Sequence, residues 1–270
     1  MTLDARPSSI GRSGLIKREP RRNESFMRTE RKTLVIIPAY NEERAVGEVV
    51  KEVRQWLPQA DVLVVNDGSA DLTSEKARRG GAWVVDLPYN LGIGGAMQAG
   101  YKYADERGYE VAVQVDGDGQ HDPKQIPNLL EALENMGVDM VVGSRFVGEP
   151  RYEGSGMRRV GILILSRVIS LVTGQRMTDP TSGFRAAGSR AIRLFARHYP
   201  QDYPEPEVLV LLSRSGLKMA EIPAQVYRRF YGESSITKIR AIYYMVKVLL
   251  AILVDCFRNV PRVEVEEKRW

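Results

Sequence analysis

From Thr33 onward, short apolar runs alternate with stretches in which apolar residues recur every three or four positions. TLVIIP (33–38) reads as a strand, and Glu42 to Trp56 carries Val46, Val49, Val50 and Val53 at helical spacing. DVLVVN (61–66), AWVVDL (82–87), VAVQVD (111–116) and VDMVVG (138–143) repeat the strand pattern. Helices are predicted between them at about 71–79, 94–107 and 123–136, the last with Pro123 at the favoured first position. Apolar strands alternating with amphipathic helices predict an α/β domain, Rossmann-like, with a mostly parallel sheet and right-handed crossovers. Ligands of such sheets gather at the carboxyl ends of the strands. That rule singles out Tyr40 to Glu42, Asn66 to Ser69 and Asp116 to Asp122.

Beyond residue 150 the pattern changes. GMRRVGILILSRVISLVTG (156–174) predicts an apolar helix punctuated by Arg158, Arg159, Ser166 and Arg167. A Gly/Pro-rich loop, TDPTSGFR (178–185), leads to helices near 188–198 and 205–216 and a strand at 218–227. After the loop RRFYGESS (228–235) comes a long helix containing AIYYMVKVLLAILV (241–254), broken only by Lys247. At 1.5 Å per residue this run spans roughly 21 Å, short of the ~30 Å hydrocarbon core. It predicts an interfacial, re-entrant or partner-docked helix, with a buried core helix as the competing reading. Residues 1–32 lack periodicity and read as a disordered basic tail. The expected organisation is therefore a tail (1–32), a catalytic α/β domain (33–232) and a membrane-associating helix with its own tail (233–270).

Composition narrows the classes. A single cysteine excludes a disulfide scaffold, and two histidines leave too few ligands for a Cys/His zinc site. The N-terminal residues lack the apolar run of a secretory signal, and no uninterrupted apolar stretch reaches membrane-spanning length. Net charge is +5 overall, but it divides unevenly: +5 over residues 1–32, −9 over 33–140 and +8 over 141–240. An acidic half followed by an Arg-rich half is not the pattern of a uniformly basic nucleic-acid binder. It predicts a cation held by one half and an anionic substrate or membrane surface met by the other.

The segment Asp116-Gly117-Asp118-Gly119-Gln120-His121-Asp122 carries the strongest chemical signal. Alternate residues of an extended chain point the same way, so Asp116, Asp118 and Gln120 present three oxygen ligands at a strand end. Oxygen ligands suit Mg²⁺ or Mn²⁺, which commonly bridge to substrate phosphates. An EF-hand fails, because its twelfth position falls on Pro127 and a strand precedes the loop. Asn90 to Met97 is only a partial dinucleotide fingerprint, its third glycine position being Met97, and no phosphate-binding P-loop occurs. Arginines 145, 158, 159, 185 and 229 each lie within three residues of a Gly or Ser in predicted loops or at helix starts, where guanidinium forks can pair with phosphates.

Seven segments in order, IIPAYNEE (36–43), NDGSADLT (66–73), NLGIGGA (90–96), DGDGQHDP (116–123), GSRF (143–146), DPTSGFR (179–185) and RFYGESS (229–235), resemble the inverting family 2 glycosyltransferases of GT-A fold. The nearest branch is the polyprenyl-phosphate glycosyltransferases related to dolichol-phosphate mannose synthase. The resemblance implies that Pro38, Ala39, Tyr40, Glu42, Asp67 and Gly94 serve the donor nucleotide. It implies a metal and diphosphate site at Asp116, Asp118 and Gln120, and a lipid-phosphate site at Arg145, Arg158 or Arg159, and Ser166. Arg229 matches the arginine that closes over the donor diphosphate, so Asp116, Asp118 and Arg229 carry the catalytic roles. Two departures stand out: Asn66 occupies a position where an Asp is frequent, and Ile93 one where Lys is frequent.

The implied reaction moves a sugar from a nucleotide-sugar donor to a polyprenyl phosphate such as undecaprenyl or dolichyl phosphate, for cell-envelope glycan or glycoconjugate synthesis. Departure of a nucleoside diphosphate leaves charge on its β-phosphate, which a divalent metal and Arg229 are placed to stabilise. A lipid phosphate is already an anion and needs no dedicated base, although His121 and Asp122 stand ready if a neutral acceptor demands one. The implied location is peripheral, on the cytoplasmic face of a membrane, with a small membrane protein or a second copy as a possible partner. Two alternatives remain at this level: a soluble glycosyltransferase acting on a saccharide or protein, and a sugar-nucleotide-binding subunit without turnover.

Overall fold

The computed structural model describes residues 31–148, 156–227 and 238–257. Seven strands form one sheet in the order β3-β2-β1-β4-β6-β5-β7. They are β1 (Thr33–Ala39), β2 (Asp61–Asn66), β3 (Trp83–Asp86), β4 (Val111–Gln114), β5 (Met140–Ser144), β6 (Arg185–Gly188) and β7 (Met219–Pro223). Strands β3, β2, β1 and β4 are mutually parallel, and β5 is parallel to β7. Strand β6 runs antiparallel between β4 and β5. From sequence, Arg185 falls in a loop and Gly188 at a helix start, with no element assigned between them. Four residues, RAAG, are too few for a periodic signal, and tertiary pairing on both edges makes them a strand.

Every residue of β1 is buried because both sheet faces are covered. Leu34 and Ile36 enter a core shared with helices α3 (Gly92–Glu106), α5 (Gly156–Thr173), α6 (Ser189–Arg197), α7 (Pro204–Arg214) and α8 (Lys238–Phe257). Val35 and Ile37 enter the opposite core, with α1 (Val46–Trp56), α2 (Thr73–Gly80) and α4 (Ile126–Asn135). Each such side chain removed from water is worth about 1.5–3 kcal/mol before entropy. Pro123 opens a single 3-10 turn capped by the Asp122 carboxylate, which accepts from the Lys124 amide, and α4 continues from it. Lys32, assigned to the tail from sequence, is anchored: its ammonium donates to the Arg107 carbonyl and lies over the Tyr109 ring.

The strand order reverses between β1 and β4, so the crevice for ligands opens at the carboxyl ends of those two strands. Helix α8 is neither wholly core nor wholly free. Val248 and Ile252 are buried in the α7 side of the core, while Leu250, Leu253, Val254 and Phe257 are exposed. Among the described residues no helix is long and apolar enough to cross a membrane.

Candidate active site

The loops after β1 and β2 form one hydrogen-bonded cradle. The Asp67 amide donates to the Ala39 carbonyl at 2.9 Å, and the Glu42 amide to Thr73 Oγ1 at 2.9 Å. Asn41, held at a positive φ of 56°, donates its amide to Ser69 Oγ and accepts from the Ala70 amide through Oδ1. Across the same seam the Glu43 amide donates to Asp71 Oδ2 and the Glu43 carboxylate accepts from the Leu72 amide. Burial works against the Asp71 carboxylate, but bonds from Thr73 and the Glu43 amide hold its pKa below the usual value. Pro38 and Ala39 are buried, Glu42 is half-buried and Tyr40 is exposed at the rim. Asp67 is buried, and its Oδ1 accepts from the Leu91 amide at 2.7 Å, which ties the 90–96 turn to this cradle.

Asn66 explains its own departure from the family pattern. Its Nδ2 donates to Ser74 Oγ and to Asp86 Oδ1 at 2.7 and 2.8 Å, and Asp86 also pairs with Arg78. A second carboxylate at position 66 would face Asp86 directly. Gly94 has a packing reason to be glycine. A Cβ there would lie 2.4 Å from the Pro200 carbonyl and 2.5 Å from that of Gln201, so this glycine is needed to pack α3 under the 200–201 backbone.

Beyond β4 the chain carries Asp116, Asp118 and Gln120 into the crevice. Gly117 packs against β1: a Cβ would stand 3.0 Å from the Pro38 carbonyl, so the acidic loop abuts the nucleotide-side strand end. Gly183 does the same from the other side, its missing Cβ leaving room for the Asp116 carboxylate at 3.1 Å. Asp118 is buried and its Oδ1 accepts from the Gln120 amide at 3.0 Å. Gln120 exchanges backbone and side-chain bonds with Tyr227, which fixes its amide plane. Among the described residues no three His, Cys, Asp or Glu side chains gather closely enough to hold a metal ion alone. Two carboxylates and an amide oxygen are the donor type suited to an ion that also takes oxygens from substrate phosphates. The oxygen-only chemistry and the space kept by Gly183 fit such an ion.

His121 is not placed as a base. It is buried, and its Nδ1 accepts from the Asp116 amide at 3.1 Å. Asp122 is likewise engaged, by the Lys124 amide and the Tyr227 hydroxyl. The Asp122 charge pushes the Tyr227 hydroxyl above its ordinary pKa.

Arg145 follows β5 and meets a partner that sequence reading overlooked. Its Nε and Nη2 each lie 2.7 Å from an oxygen of Asp179, and Nη2 also donates to Thr181. The Asp179 side chain is fully buried and that of Arg145 only 12% exposed. Glu221 of β7 accepts from the Thr178 and Asp179 amides and from the Thr178 hydroxyl, so the loop is pinned from behind. Ser166 donates to the Met177 carbonyl at 2.5 Å, which holds α5 to the same segment. Arg159 is exposed on α5; the side chain of Arg158, and Arg229 altogether, lie outside the described residues.

Arg185 and Glu205 were also not assigned roles in the donor or metal sites. Arg185 is buried, donating to the Ser182 and Glu205 carbonyls, with Nη1 unpaired among the described residues. Burial pushes the Glu205 carboxyl up, Arg185 opposes this, and Asp116 adds to it. The run PEPE at 204–207 offers no signal that distinguishes this carboxylate from surface glutamates.

A mostly parallel sheet with flanking helices and an acidic loop at its switch point, beside a hydrogen-bonded cradle, is the layout of a GT-A fold. Solved structures agree on the fold. Glucosyl-3-phosphoglycerate synthase from Mycobacterium tuberculosis, in complex with phosphoglyceric acid, superimposes with a TM-score of 0.67 at 21% identity, covering 85% of this chain and 81% of that one. The complex of that enzyme with Mn²⁺, uridine diphosphate and phosphoglyceric acid gives 0.66 at 22%, covering 86% and 80%. Residues 34–197 match Glycosyl transferase family 2, and the chain belongs to that family. It is 34% identical over 215 residues to the undecaprenyl-phosphate mannosyltransferase of Micrococcus luteus, covering 76% of this chain and 88% of that one. It is 35% identical over 170 residues to the polyprenol monophosphomannose synthase of Mycolicibacterium smegmatis, covering 59% and 63%. The protein is a glycosyltransferase.

Proposed function

We propose that this glycosyltransferase moves a sugar from a nucleotide-sugar donor to a polyprenyl phosphate, with inversion, at a membrane surface. The observation that carries the reading is the outer face of α5 and α8. Gly161 of α5 meets Met245 of α8 so closely that a Cβ would stand 2.7 Å from its Cε, so the two helices lie together. Outward they expose Val160, Leu163 and Leu171 on one helix and Leu250, Leu253 and Phe257 on the other, Leu171 at 85% and Phe257 at 82%. Arg159, Arg167 and Lys247 are exposed among them. Apolar surface edged by cations is what a helix pair needs to rest in the headgroup layer of an anionic bilayer. The names of the Micrococcus and Mycolicibacterium relatives support the same acceptor class.

In this reading Pro38, Ala39, Tyr40, Glu42 and Asp67 hold the nucleotide. Asp116, Asp118 and Gln120 hold Mg²⁺ or Mn²⁺, which supplies charge neutralisation for the departing diphosphate. Arg229, two positions beyond the Gln120-bonded Tyr227, adds a guanidinium to that diphosphate. Arg145, fixed in orientation by Asp179, and Arg158, Arg159 and Ser166 frame the acceptor phosphate. The phosphate oxygen attacks the anomeric carbon as the bond to the nucleoside diphosphate breaks. It needs no base, in keeping with the buried, engaged His121. Purified protein is incubated with labelled nucleotide sugars, a short polyprenyl phosphate and Mg²⁺ or Mn²⁺, with and without excess chelator. A chelator-sensitive labelled lipid is expected from at least one donor. Label appearing only in an added soluble saccharide contradicts the reading.

A further inference from the structure

We propose that Glu221 of β7 is the positioning residue of the acceptor-phosphate site: the hydrogen bonds around Arg145 converge on its carboxylate, which sets where that guanidinium points. The inference rests on the lipid-phosphate reading above and concerns how the chain holds Arg145 for that acceptor.

Strand register explains why an acid there needs partners. Glu221 pairs with Val142 of β5, so its side chain shares a sheet face with Val142 and, two residues on, with Ser144. On the same face Met219, Met140 and Val142 are buried in the core, together with Met177. A carboxylate at such a position must be hydrogen-bonded, and Glu221 has three donors. Its Oε1 accepts from the Asp179 amide, and its Oε2 from the Thr178 amide and the Thr178 hydroxyl, each at 2.7 Å. Burial pushes the Glu221 carboxyl above its ordinary pKa, while these bonds favour its charged form.

Two arms lead from Glu221 to Arg145. The first runs through Asp179. Glu221 holds its amide, and its carboxylate takes the Arg145 amide at 3.1 Å together with Nε and Nη2 of the guanidinium. The second runs through hydroxyls. Thr178 gives its proton to Glu221, so Ser144 Oγ, 2.7 Å away, donates to Thr178 Oγ1. Ser144 Oγ in turn accepts from the Phe146 amide at 3.1 Å. Arg145 and the residues on both sides of it are thus tied to one carboxylate. Every proton of the second arm points toward Glu221, a direction that only an acceptor at its end sustains.

Variants cut the arms separately. Glu221→Gln keeps the shape but has one acceptor oxygen. Whichever way its amide turns, its NH₂ meets either the Asp179 amide or the Thr178 amide, so one arm is lost. Thr178→Val removes the hydroxyl arm alone, and Thr178→Ser restores it. Steady-state kinetics are measured with a short polyprenyl phosphate and the nucleotide sugar that the wild type accepts, each varied at saturation of the other, alongside melting temperature.

Glu221→Gln should raise the KM for polyprenyl phosphate at least about tenfold while kcat and the KM for the nucleotide sugar hold, the pattern of a misplaced acceptor-binding group. Thr178→Val should raise the same KM about threefold, with Thr178→Ser near the wild type. The Thr178 pair carries the test if Glu221→Gln does not fold. A folded Glu221→Gln with a wild-type KM for polyprenyl phosphate, or with both KM values raised alike, overturns the inference alone, as does a Thr178→Val that matches Thr178→Ser. A wild-type chain that transfers sugar to a soluble saccharide and not to polyprenyl phosphate overturns the acceptor reading and this inference together.

Discussion

The loops that follow β1 and β2 and the helices α5 and α8 solve opposite problems. In the first region nearly every polar group is spoken for: Asp67, Asn41, Glu43 and Asp71 bind amides of neighbouring loops, and the strands beneath are buried on both faces. In the second, apolar side chains such as Leu171, Leu253 and Phe257 face outward, and the polar chemistry lies underneath in the Arg145–Asp179 pair. A site preorganised by backbone hydrogen bonds suits a soluble, rigid nucleotide. An outward apolar face suits a ligand that brings its own lipid phase. Under the proposed function the two regions meet their substrates by different physics, and each half can be broken separately.

The largest effect should come from the crevice. Asp118→Asn should lower kcat at least about a hundredfold, a scale typical of removing one preorganised electrostatic group. Circular dichroism and vesicle binding should remain as in the wild type; a variant with full turnover sinks the metal-site assignment. Next is the buried pair beneath the second region. Asp179→Ala leaves Arg145 with an uncompensated charge and should cost about 3–5 kcal/mol in urea unfolding. Arg159→Ala, on the exposed face, should leave the unfolding curve in place and raise the KM for polyprenyl phosphate. Similar stability losses for the two arginine-side variants would erase the distinction between support and surface.

A third, smaller effect is pH-dependent. Glu207 of α7 is buried against α8, and burial, then Asp255 and Asp202, push its pKa up to about 7. Its carboxyl is protonated more readily in the folded chain than in the unfolded one, where the value is near 4.5. The native state therefore binds more protons between those values, and stability must fall as pH rises through that window. The full loss is about 3 kcal/mol. Glu207→Gln should flatten the dependence of urea unfolding on pH between 5 and 8, roughly the span of the shift. An unchanged slope contradicts the burial of this acid at the α7–α8 contact. The smallest change in fold, but a clear change in location, is expected of Leu250→Glu with Leu253→Glu. Flotation with anionic vesicles should fall about tenfold while the melting temperature holds, because both side chains are exposed.

The same contrast governs what the sequence revealed. Strands β1 to β5 and their helices were legible because short apolar runs alternate with segments of helical period. Asp116, Asp118 and Gln120 stand out in the sequence as a polar run after an apolar strand, but β4 ends at Gln114 and residues 117–119 turn, so the extended-chain alternation expected there does not describe this loop. Strand β6 was not, since four residues paired by distant neighbours carry no period of their own. Asp179 and Glu221 were missed as partners of the Arg145 loop because they approach it from 34 residues away and from a different strand. Gly94 carries a packing requirement that the sequence did not show, because the 200–201 backbone that a Cβ there would meet is distant in the chain. For α8 the buried-core reading holds for Val248 and Ile252, whereas Leu250 and Leu253 face outward.

The central claim is that the second region reads a phosphate carried on a lipid. Initial rates are compared at saturating donor, in anionic vesicles, for a polyprenyl phosphate and for the uncharged polyprenol of the same chain length. The account predicts turnover at least about a hundredfold faster with the phosphate, as expected when a site built around charged donors loses its anion. Equal rates with the two lipids would contradict it.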